Sequence, residues 1–335
     1  MNKKFIIKNL EKKELNSFFK FINLKWKKNH IISRDKNFFK WQFYNKDTKK
    51  YNFIIAKSNN KILGCLGYIP NSAYSKNFRK DDYFWLVNWI VDKKYNFLSL
   101  SLINYILSNF KFKFIGTTGC SENTLQILKA LGFKTGKLKH SACVSTRINK
   151  LLISNFPKIN KNKNINPKSQ YILKILNRND ISVFFNDIKK INNKDKEYFI
   201  KRYCEHPIYK YDLLGFWKLN KPHGFFVARQ AKFNNSYSYK LVDYHGKEID
   251  LKKVFNALNN SSETLKYEFF DLYNFSKNNF FKYSDDFKVK GRIVAPNFFE
   301  PYDFKNIDIR FAYYSKDLKY SPFFVRGDCD QDRPS

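Results

Sequence analysis

The chain is poor in cysteine, glycine and proline for its length, with 5, 11 and 9 of these residues among 335. The cysteines are odd in number, and no pair has the short spacing of a metal knuckle or a redox motif. We therefore expect free thiols, and no metal site, at these positions: Cys65, Cys120, Cys143, Cys204 and Cys329.

Long apolar runs are also missing. The N-terminus begins with lysines and an apolar stretch, but Lys8 interrupts that stretch after three residues. A secretory core needs about 7–15 apolar residues and a membrane span about 20. We predict a cytoplasmic protein without a transmembrane segment.

Acidic residues are outnumbered, since 29 Asp and Glu stand against 63 Lys and Arg, a formal net charge of +34. Such a chain attracts polyanions. The basic residues are spread along the whole sequence, however, and it has no zinc finger, RNP-type aromatic motif or leucine zipper. We therefore favour a nucleotide-bearing small ligand over a dedicated nucleic-acid role.

What the sequence does contain is enough apolar material for packed cores, with 43% hydrophobic and 19% aromatic residues. A chain of this length is long for a single core, so two domains are expected. Apolar spacing in the first half alternates between helical and strand periods. The predicted elements there are a helix over 11–28, strands over 52–57, 61–68 and 83–91, a helix over 98–110, a strand over 112–117, a helix over 121–131 and a strand over 141–146.

The second half repeats this order after a break in composition. From Ser145 to Gln170 the chain has six basic residues, two prolines and no acidic residue, which indicates a linker. We predict an N-terminal domain over 1–146, a basic linker over 147–170 and a C-terminal domain over 171–335 with a docked acidic tail. Its predicted elements are a helix over 187–201, strands over 223–230 and 236–245, a helix over 249–258, and strands over 267–273 and 306–313.

The first half resembles the GNAT acyltransferases. The resemblance rests on the strand pair 53–68, the apolar strand from Phe84 to Asp92, and Gly119-Cys120-Ser121-Glu122-Asn123-Thr124 leading to Leu131-Gly132-Phe133. It implies that Asn123 meets the pantetheine or pyrophosphate of acetyl-CoA. The backbone near Trp89, Ile90 and Val91 would contact the oxyanion.

The whole chain is similar to two-domain GNAT-like proteins of bacterial surface-polysaccharide gene clusters. The similarity rests on four segments, which are 30–42, 202–207, 296–301 and 327–334. It implies an α/β fold of tandem GNAT-like lobes, each a mixed, mostly antiparallel sheet flanked by helices. It also implies an acetyl-CoA-dependent N-acyltransferase acting on an amino sugar or a nucleotide-linked sugar.

One segment departs from the family pattern. GNAT enzymes hold the CoA pyrophosphate on backbone N–H groups of a glycine-rich loop at a helix N-terminus. Here residues 92–99 contain no glycine, and Phe97 and Leu98 stand where phosphate should lie. Lys93, Lys94 and Ser99 are the cofactor-binding candidates that remain in this loop.

A direct transfer to an amine needs a base and an oriented acceptor. Our candidates for the base are His30, Asp35, Glu122, His206 and Asp328. Each also has a structural interpretation, as a helix cap, a turn residue or an ion-pair partner. The candidate substrate-binding residues are Arg34, Trp41, Arg202, Asp330, Asp332 and Arg333.

The acidic tail has several interpretations. Asp328, Asp330 and Asp332 alternate, so in an extended segment they would share one side. They would then bind a divalent cation, orient sugar hydroxyls or pair with basic residues of the protein. A solvated tail is the structural alternative.

Two further functions stay open. Fem-type aminoacyltransferases also join two GNAT-like lobes, and their aminoacyl-tRNA substrate would give the basic charge a purpose. A non-catalytic lobe that binds a glycan or a partner would explain the missing glycines. Loss of tRNA binding with salt would test the first.

Overall fold

The computed structural model describes residues 4–78, 83–157, 171–186, 194–277, 280–282, 287–317, 320–330 and 332. The chain forms two compact units. Unit 1 consists of Met1–Thr135 and Phe311–Leu318, and unit 2 of Gly136–Arg310 and Lys319–Pro334. No helix among the described residues is long and apolar enough to cross a membrane.

The α-helices are numbered in chain order. They are Leu15–Lys25 (α1), Ile31–Arg34 (α2), Lys36–Phe43 (α3), Leu98–Asn109 (α4), Glu122–Ala130 (α5), Lys196–Phe199 (α6) and Leu251–Asn260 (α7).

The strands are numbered in the same way. They are Ile6–Leu10 (β1), Tyr44–Asn45 (β2), Lys50–Ser58 (β3), Lys61–Pro70 (β4), Tyr83–Val91 (β5), Phe114–Thr118 (β6), Lys134–Lys137 (β7), Lys139–Val144 (β8), Ile172–Leu176 (β9), Asp212–Lys218 (β10), Lys221–Phe233 (β11), Ser236–Gly246 (β12), Ile249–Asp250 (β13), Tyr267–Ser276 (β14), Phe281–Lys282 (β15), Arg310–Ser315 (β16) and Phe323–Val325 (β17).

The sheet of unit 1 has the order β1-β3-β4-β5-β6-β16-β7, with β2 beside β3. The pairs from β1 to β5 and the pair β6 and β16 are antiparallel, whereas β5 and β6 run parallel. A parallel pair needs a crossover, and α4 lies between these two strands in the sequence. The predicted strand over 83–91 coincides with β5.

Both faces of the unit 1 sheet are covered. On one face Ile54 and Leu86 join a core with Leu102 and Ile106, which α4 presents one turn apart. On the other face the ring of Phe53 lies 4.8 Å from Phe18 of α1, centroid to centroid. Covering on both faces explains why the central strands are almost continuously apolar.

The sheet of unit 2 has the order β17-β14-β12-β11-β10-β9, with β8 beside β14. One core cluster joins Tyr239 and Leu272 of the sheet with Val254 and Leu258 of α7. Asp250 caps α7, because its carboxylate accepts the Lys252 N–H at 2.9 Å.

Two predicted strands belong to the opposite unit. The strand expected over 141–146 at the end of the first domain is β8, which pairs with β14 of unit 2. The strand expected over 306–313 is β16, which pairs with β6 of unit 1. The structural boundary therefore lies after Thr135 instead of residue 146, and unit 1 includes a return segment from the second half of the sequence.

Part of the predicted linker over 147–170 is packed instead of exposed. Ile153 is buried, and the carboxylate of Glu268 accepts the N–H groups of Leu152 and Ile153 at 2.8 and 3.0 Å. It also accepts the Ser154 hydroxyl at 2.5 Å. Residues 158–170 of the predicted linker lie outside the described residues.

Candidate functional site

In unit 1 the two central strands separate part-way along their length. β5 pairs in parallel with β6 for three residues that end at Trp85 and Gly116. β5 then continues to Val91 and β6 to Thr118. We call the wedge between residues 86–91 and 117–118 the unit 1 opening. In the described part of the chain no other strand pairs with the facing edges there.

A bulge in β5 lies beside this opening. Val87 and Ile90 pair with residues of β4 that are two positions apart, so Asn88 and Trp89 together face one residue. Asn88 has φ 51°, in the left-handed region that few residues other than glycine adopt. Bulges of this kind redirect side chains and end pairing next to active sites.

Trp89 supplies a buried donor in the bulge. Its Nε1 is shielded from solvent and has no acceptor among the described residues. Buried indole N–H groups in folded proteins normally have a partner. The unmatched donor is therefore consistent with an acceptor atom supplied by a ligand.

Unit 2 has the same strand arrangement. β12 pairs in parallel with β14 up to Leu241 and Leu272, after which both strands continue without pairing to each other. Val242 forms the bulge, because Leu241 and Asp243 pair with adjacent residues of β11. Both sheets thus combine a parallel central pair, a bulge and an opening.

Comparison with known proteins agrees with this arrangement. No family profile and no curated protein matches the sequence. Among solved structures, a candidate acetyltransferase from Pyrococcus horikoshii aligns over 95% of this chain and 92% of its own, with TM-score 0.50 and 11% identity. A candidate N-acyltransferase from Enterococcus faecalis V583 covers 94% and 73%, with TM-score 0.53 and 9% identity. A GCN5-related N-acetyltransferase from Kribbella flavida covers 92% and 70%, with TM-score 0.50 and 9% identity.

The fold is the GNAT fold. The predicted class, α/β with tandem GNAT-like lobes that each carry a mixed, mostly antiparallel sheet flanked by helices, is confirmed. At these identities the likeness concerns the fold alone.

The loop after β5 does not present the phosphate cradle of GNAT enzymes. The carboxylate of Asp92 accepts the Lys94 N–H at 3.2 Å and forms an ion pair with Lys25 at 2.9 Å. That hydrogen-bonded pair with Lys25 holds the pKa of Asp92 below its usual range. The Tyr95 and Ser99 N–H groups donate within the loop, at 2.7 and 3.0 Å. A carboxylate and local turns therefore use the Lys94, Tyr95 and Ser99 amides of this loop.

Aromatic side chains cover the same loop. The ring of Phe5 lies 5.4 Å from Phe97 and 5.9 Å from Tyr95, in edge-to-face geometry. Lys93 and Lys94 are exposed beside them and contribute charge without a fixed geometry. A CoA pyrophosphate therefore does not fit this loop in the manner of the family.

The histidines proposed as bases act as backbone caps. His30 is buried, stacks on Trp26 at 4.0 Å, and accepts the Ile32 N–H on Nδ1 at 3.3 Å. Burial lowers its pKa to about 4. His206 accepts two backbone N–H groups on Nδ1, at 3.0 and 3.2 Å. Their rings are committed to turns, and a catalytic role for either stays a prediction.

The carboxylates proposed as bases occupy different surroundings. Asp35 caps α3 by accepting the Phe38 N–H at 2.8 Å. Glu122 is exposed in the first turn of α5, four residues after β6 ends. Asp328 is buried in unit 2, and its carboxylate lies 2.8 Å from Lys194. Burial raises the pKa of Asp328 to about 6 despite that lysine.

The other predicted cofactor-binding residues lie in unit 1. Trp89, Ile90 and Val91 are half-buried along β5, Asn123 is exposed in the first turn of α5, and Ser99 is half-buried in the first turn of α4. β5 forms one edge of the unit 1 opening, and α4 follows β5 in the chain. α5 follows β6, which forms the other edge.

The predicted substrate residues divide between the two units. Arg34 is exposed and Trp41 is half-buried in unit 1. Arg202 is buried in unit 2 and pairs with Asp332 at 2.8 Å, so these two charges neutralise each other. Asp330 is half-buried, and Arg333 lies outside the described residues.

The alternating aspartates of the tail do not share one side. Cys329 has φ 61°, which turns the chain between them. Asp328 therefore reaches Lys194, whereas Asp332 reaches Arg202 and the hydroxyl of Tyr211, at 2.8 and 2.6 Å. Of the interpretations of the tail, the contacts of these two carboxylates match ion pairing with the body of unit 2.

Sequence reasoning missed a second buried charge cluster in unit 2. The carboxylate of Asp271 binds both terminal nitrogens of Arg326 at 2.6 and 3.1 Å. It also lies 3.3 Å from Lys240 and 3.0 Å from His140 Nε2. Burial would raise the pKa of Asp271, but Arg326 and Lys240 hold it well below its usual value. The available signal was a charged residue between apolar neighbours in each strand, in Tyr239-Lys240-Leu241 and Phe270-Asp271-Leu272.

Proposed function

We propose that the chain is an N-acyltransferase whose acyl-donor site is the unit 1 opening. The observation that carries the proposal is the diverging pair β5 and β6, with the bulge at Asn88 and the unmatched Trp89 donor beside it. An extended acyl-pantetheine arm would lie between the diverging edges of β5 and β6. We further propose an amino sugar or a nucleotide-linked amino sugar as the acceptor, as the resemblance of the whole chain suggests.

Direct transfer of an acyl group from a thioester to an amine needs few protein groups. An acyl thioester supplies an activated carbonyl, and the acceptor nitrogen forms its bond to that carbon while the carbon–sulfur bond breaks. Backbone N–H groups of β5 beyond Leu86 that are not used in the pairing with β4 would stabilise the oxyanion. The proton lost from nitrogen would pass through the exposed Glu122, our candidate base, and end on the departing thiol.

The acceptor would lie against α2 and α3. Trp41 is half-buried and its ring lies 5.7 Å from Tyr74, which leaves an aromatic surface of the kind that packs on the apolar face of a sugar. Arg34 is exposed and lies seven residues before Trp41 in the sequence. It would pair with a phosphate of a nucleotide-linked sugar.

The hydrogen bonds within the loop 92–99 lead to an expectation about the affinity for the acyl donor. If residues 92–99 do not hold the pyrophosphate, the adenosine diphosphate part of CoA adds little affinity. Acetyl-CoA and S-acetyl-4′-phosphopantetheine should then bind within about threefold of each other in calorimetric titrations at moderate salt, a difference below about 0.7 kcal/mol. A hundredfold preference for acetyl-CoA would show that the loop does grip the pyrophosphate.

Transfer is tested with the donor that binds more tightly and a panel of UDP- and CMP-linked amino sugars. We expect acylated product by mass spectrometry, a reduction of tenfold or more in Glu122→Gln, and little change in Asp47→Asn, an exposed carboxylate of the same unit. Donor binding without transfer to any amine would contradict the enzyme proposal.

A second candidate function is a non-catalytic binding protein on the GNAT scaffold. The observation in its favour is the Asp92 carboxylate on the loop amides, since a lobe that has lost donor binding no longer needs them free. Absence of donor binding at low and moderate salt would select this function.

A further inference from the structure

The opening of unit 2 contains a strand from the end of the chain. β17 pairs antiparallel with β14, with Val325 opposite Asn274. Asn274 also pairs with Lys139 of β8, and a strand residue has one partner on each edge. At Leu272, β8 and β12 occupy opposite edges of β14. β17 therefore lies on the edge that faces β12, where those two strands have separated.

The next residues of the tail connect the two sides of this opening. The Arg326 N–H donates to the Tyr273 carbonyl of β14 at 3.2 Å, and the Gly327 N–H donates to the Val242 carbonyl of the β12 bulge at 2.8 Å. Every described residue from Phe323 to Cys329 is buried. The tail thus supplies the strand-edge hydrogen bonds that a ligand would supply in an open lobe.

Side chains hold the tail at three points. Arg326 binds Asp271 through two nitrogens, and Asp328 lies 2.8 Å from Lys194. Asp332 pairs with Arg202 at 2.8 Å and also accepts the Tyr211 hydroxyl at 2.6 Å. Such buried pairs depend on geometry, because removing one partner leaves an uncompensated charge.

Gly327 shows how closely this segment fits. A Cβ at this position would lie 2.4 Å from the Tyr203 hydroxyl and 3.0 Å from both the Val242 carbonyl and its side chain. The Tyr203 hydroxyl cannot withdraw freely, since it donates to Asp243 at 2.6 Å. Only a residue without a side chain allows the tail to lie this close to the bulge.

We propose that residues 323–328 act as a permanent internal ligand of unit 2, so that this lobe takes no acyl donor and the chain has a single donor site in unit 1. The proposal rests on the proposed function for the identity of the ligand that unit 1 takes. The closure of unit 2 is a separate claim that can be tested without any ligand.

Amide exchange on the full chain tests the closure. We expect peptides covering 323–328 to exchange as slowly as those of β14, and at least a hundredfold slower than the exposed turn at Asn59 and Asn60. Gly327→Val should raise exchange in 323–328 and in β12 tenfold or more, whereas Ser321→Ala, at an exposed position just before β17, should not. If Gly327→Val does not fold, the wild-type exchange rates decide. Exchange of 323–328 at the rate of the exposed turn would overturn the proposal.

Titration with S-acetyl-4′-phosphopantetheine tests the number of donor sites. We expect one site per chain, with ligand-induced protection of amides in 83–91 and none in 236–246. Two sites, or protection in 236–246, would overturn the closure of unit 2. If the probe does not bind at all, the proposed function fails, and the exchange rates of 323–328 still decide whether unit 2 is closed.

Discussion

Replacing Asp271 by asparagine is expected to destabilise unit 2 by about 3–5 kcal/mol at pH 6. The substitution keeps the shape but leaves Arg326 and Lys240 buried without a counter-charge, since both lie within 3.3 Å of the carboxylate. Among the described residues Lys240 has no other ion-pair partner, and its further contacts are the Pro296 carbonyl and the rings of Phe269 and Phe299. These neutral groups attract a cation but do not balance its charge.

The cost should depend on pH in a defined direction. Burial lowers the pKa of Lys240 to about 7, and Asp271 opposes that shift. Because the folded value lies below the unfolded value near 10.4, Lys240 reduces stability increasingly as pH falls from about 10 to 7, and the penalty then stays constant. Without Asp271 the folded pKa falls further, so the penalty keeps growing below pH 7. One pH unit corresponds to about 1.4 kcal/mol. The destabilisation should therefore be about 1 kcal/mol larger at pH 6 than at pH 9, where Lys240 is neutral in both proteins.

Amide exchange in peptides 236–246 and 267–276 gives the free energy of opening of unit 2, and peptide 83–91 of unit 1 is the internal reference. Asp308→Asn is the matched control. Its partner Lys137 lies 2.6 Å away, but both side chains are more than half exposed, so we expect a cost below about 1 kcal/mol. A cost for Asp271→Asn no larger than this control, or one that does not change between pH 6 and 9, would refute the reasoning.

Three further predictions concern single contacts. His245→Phe should make unit 2 less sensitive to acid, because burial lowers the pKa of His245 to about 4. The wild type should therefore lose about 2–3 kcal/mol relative to the variant between pH 7.5 and 4.5, measured by urea unfolding at both pH values. Glu268→Gln should release the segment around Ile153, with a loss of about 1–3 kcal/mol and faster proteolysis there, while Glu263→Gln at an exposed site should have no such effect. His30→Asn should retain activity and stability if the ring only caps α2, because asparagine accepts the same N–H, whereas His30→Ala should cost about 1 kcal/mol; loss of turnover in both variants with normal unfolding would instead assign His30 a catalytic role.

Much of the local structure could be predicted from the sequence because it depends on local patterns. The continuous apolar run of β5 and the helical spacing of Leu98, Leu102 and Ile106 identify both elements. Ser121 caps α5 as its position before Glu122 suggests, by accepting the Thr124 N–H at 3.2 Å. These features require no knowledge of distant residues.

The assignment of strands to sheets could not be predicted in this way. β8 and β16 read as ordinary strands, but nothing in either segment shows which sheet contains its partner. Their pairing with β14 and β6 joins residues more than 100 positions apart in one case and almost 200 in the other. The packing of residues 152–154 could not be predicted for the same reason, since the Glu268 side chain that binds them lies more than 110 positions away.

The difference between local patterns and distant contacts also limits what the sequence predicts about the two openings. The bulge and the parallel central pair occur in both units, because neighbouring strands within each unit form them. The occupant of each opening is instead decided by distant residues: Arg326 and Gly327 fill one opening, and no described strand fills the other. The two lobes share one fold but differ in what occupies the opening, so a function inferred from the fold alone would be assigned to both. Under the function proposed above, the six-residue segment 323–328, more than the GNAT fold, decides which lobe can take an acyl donor.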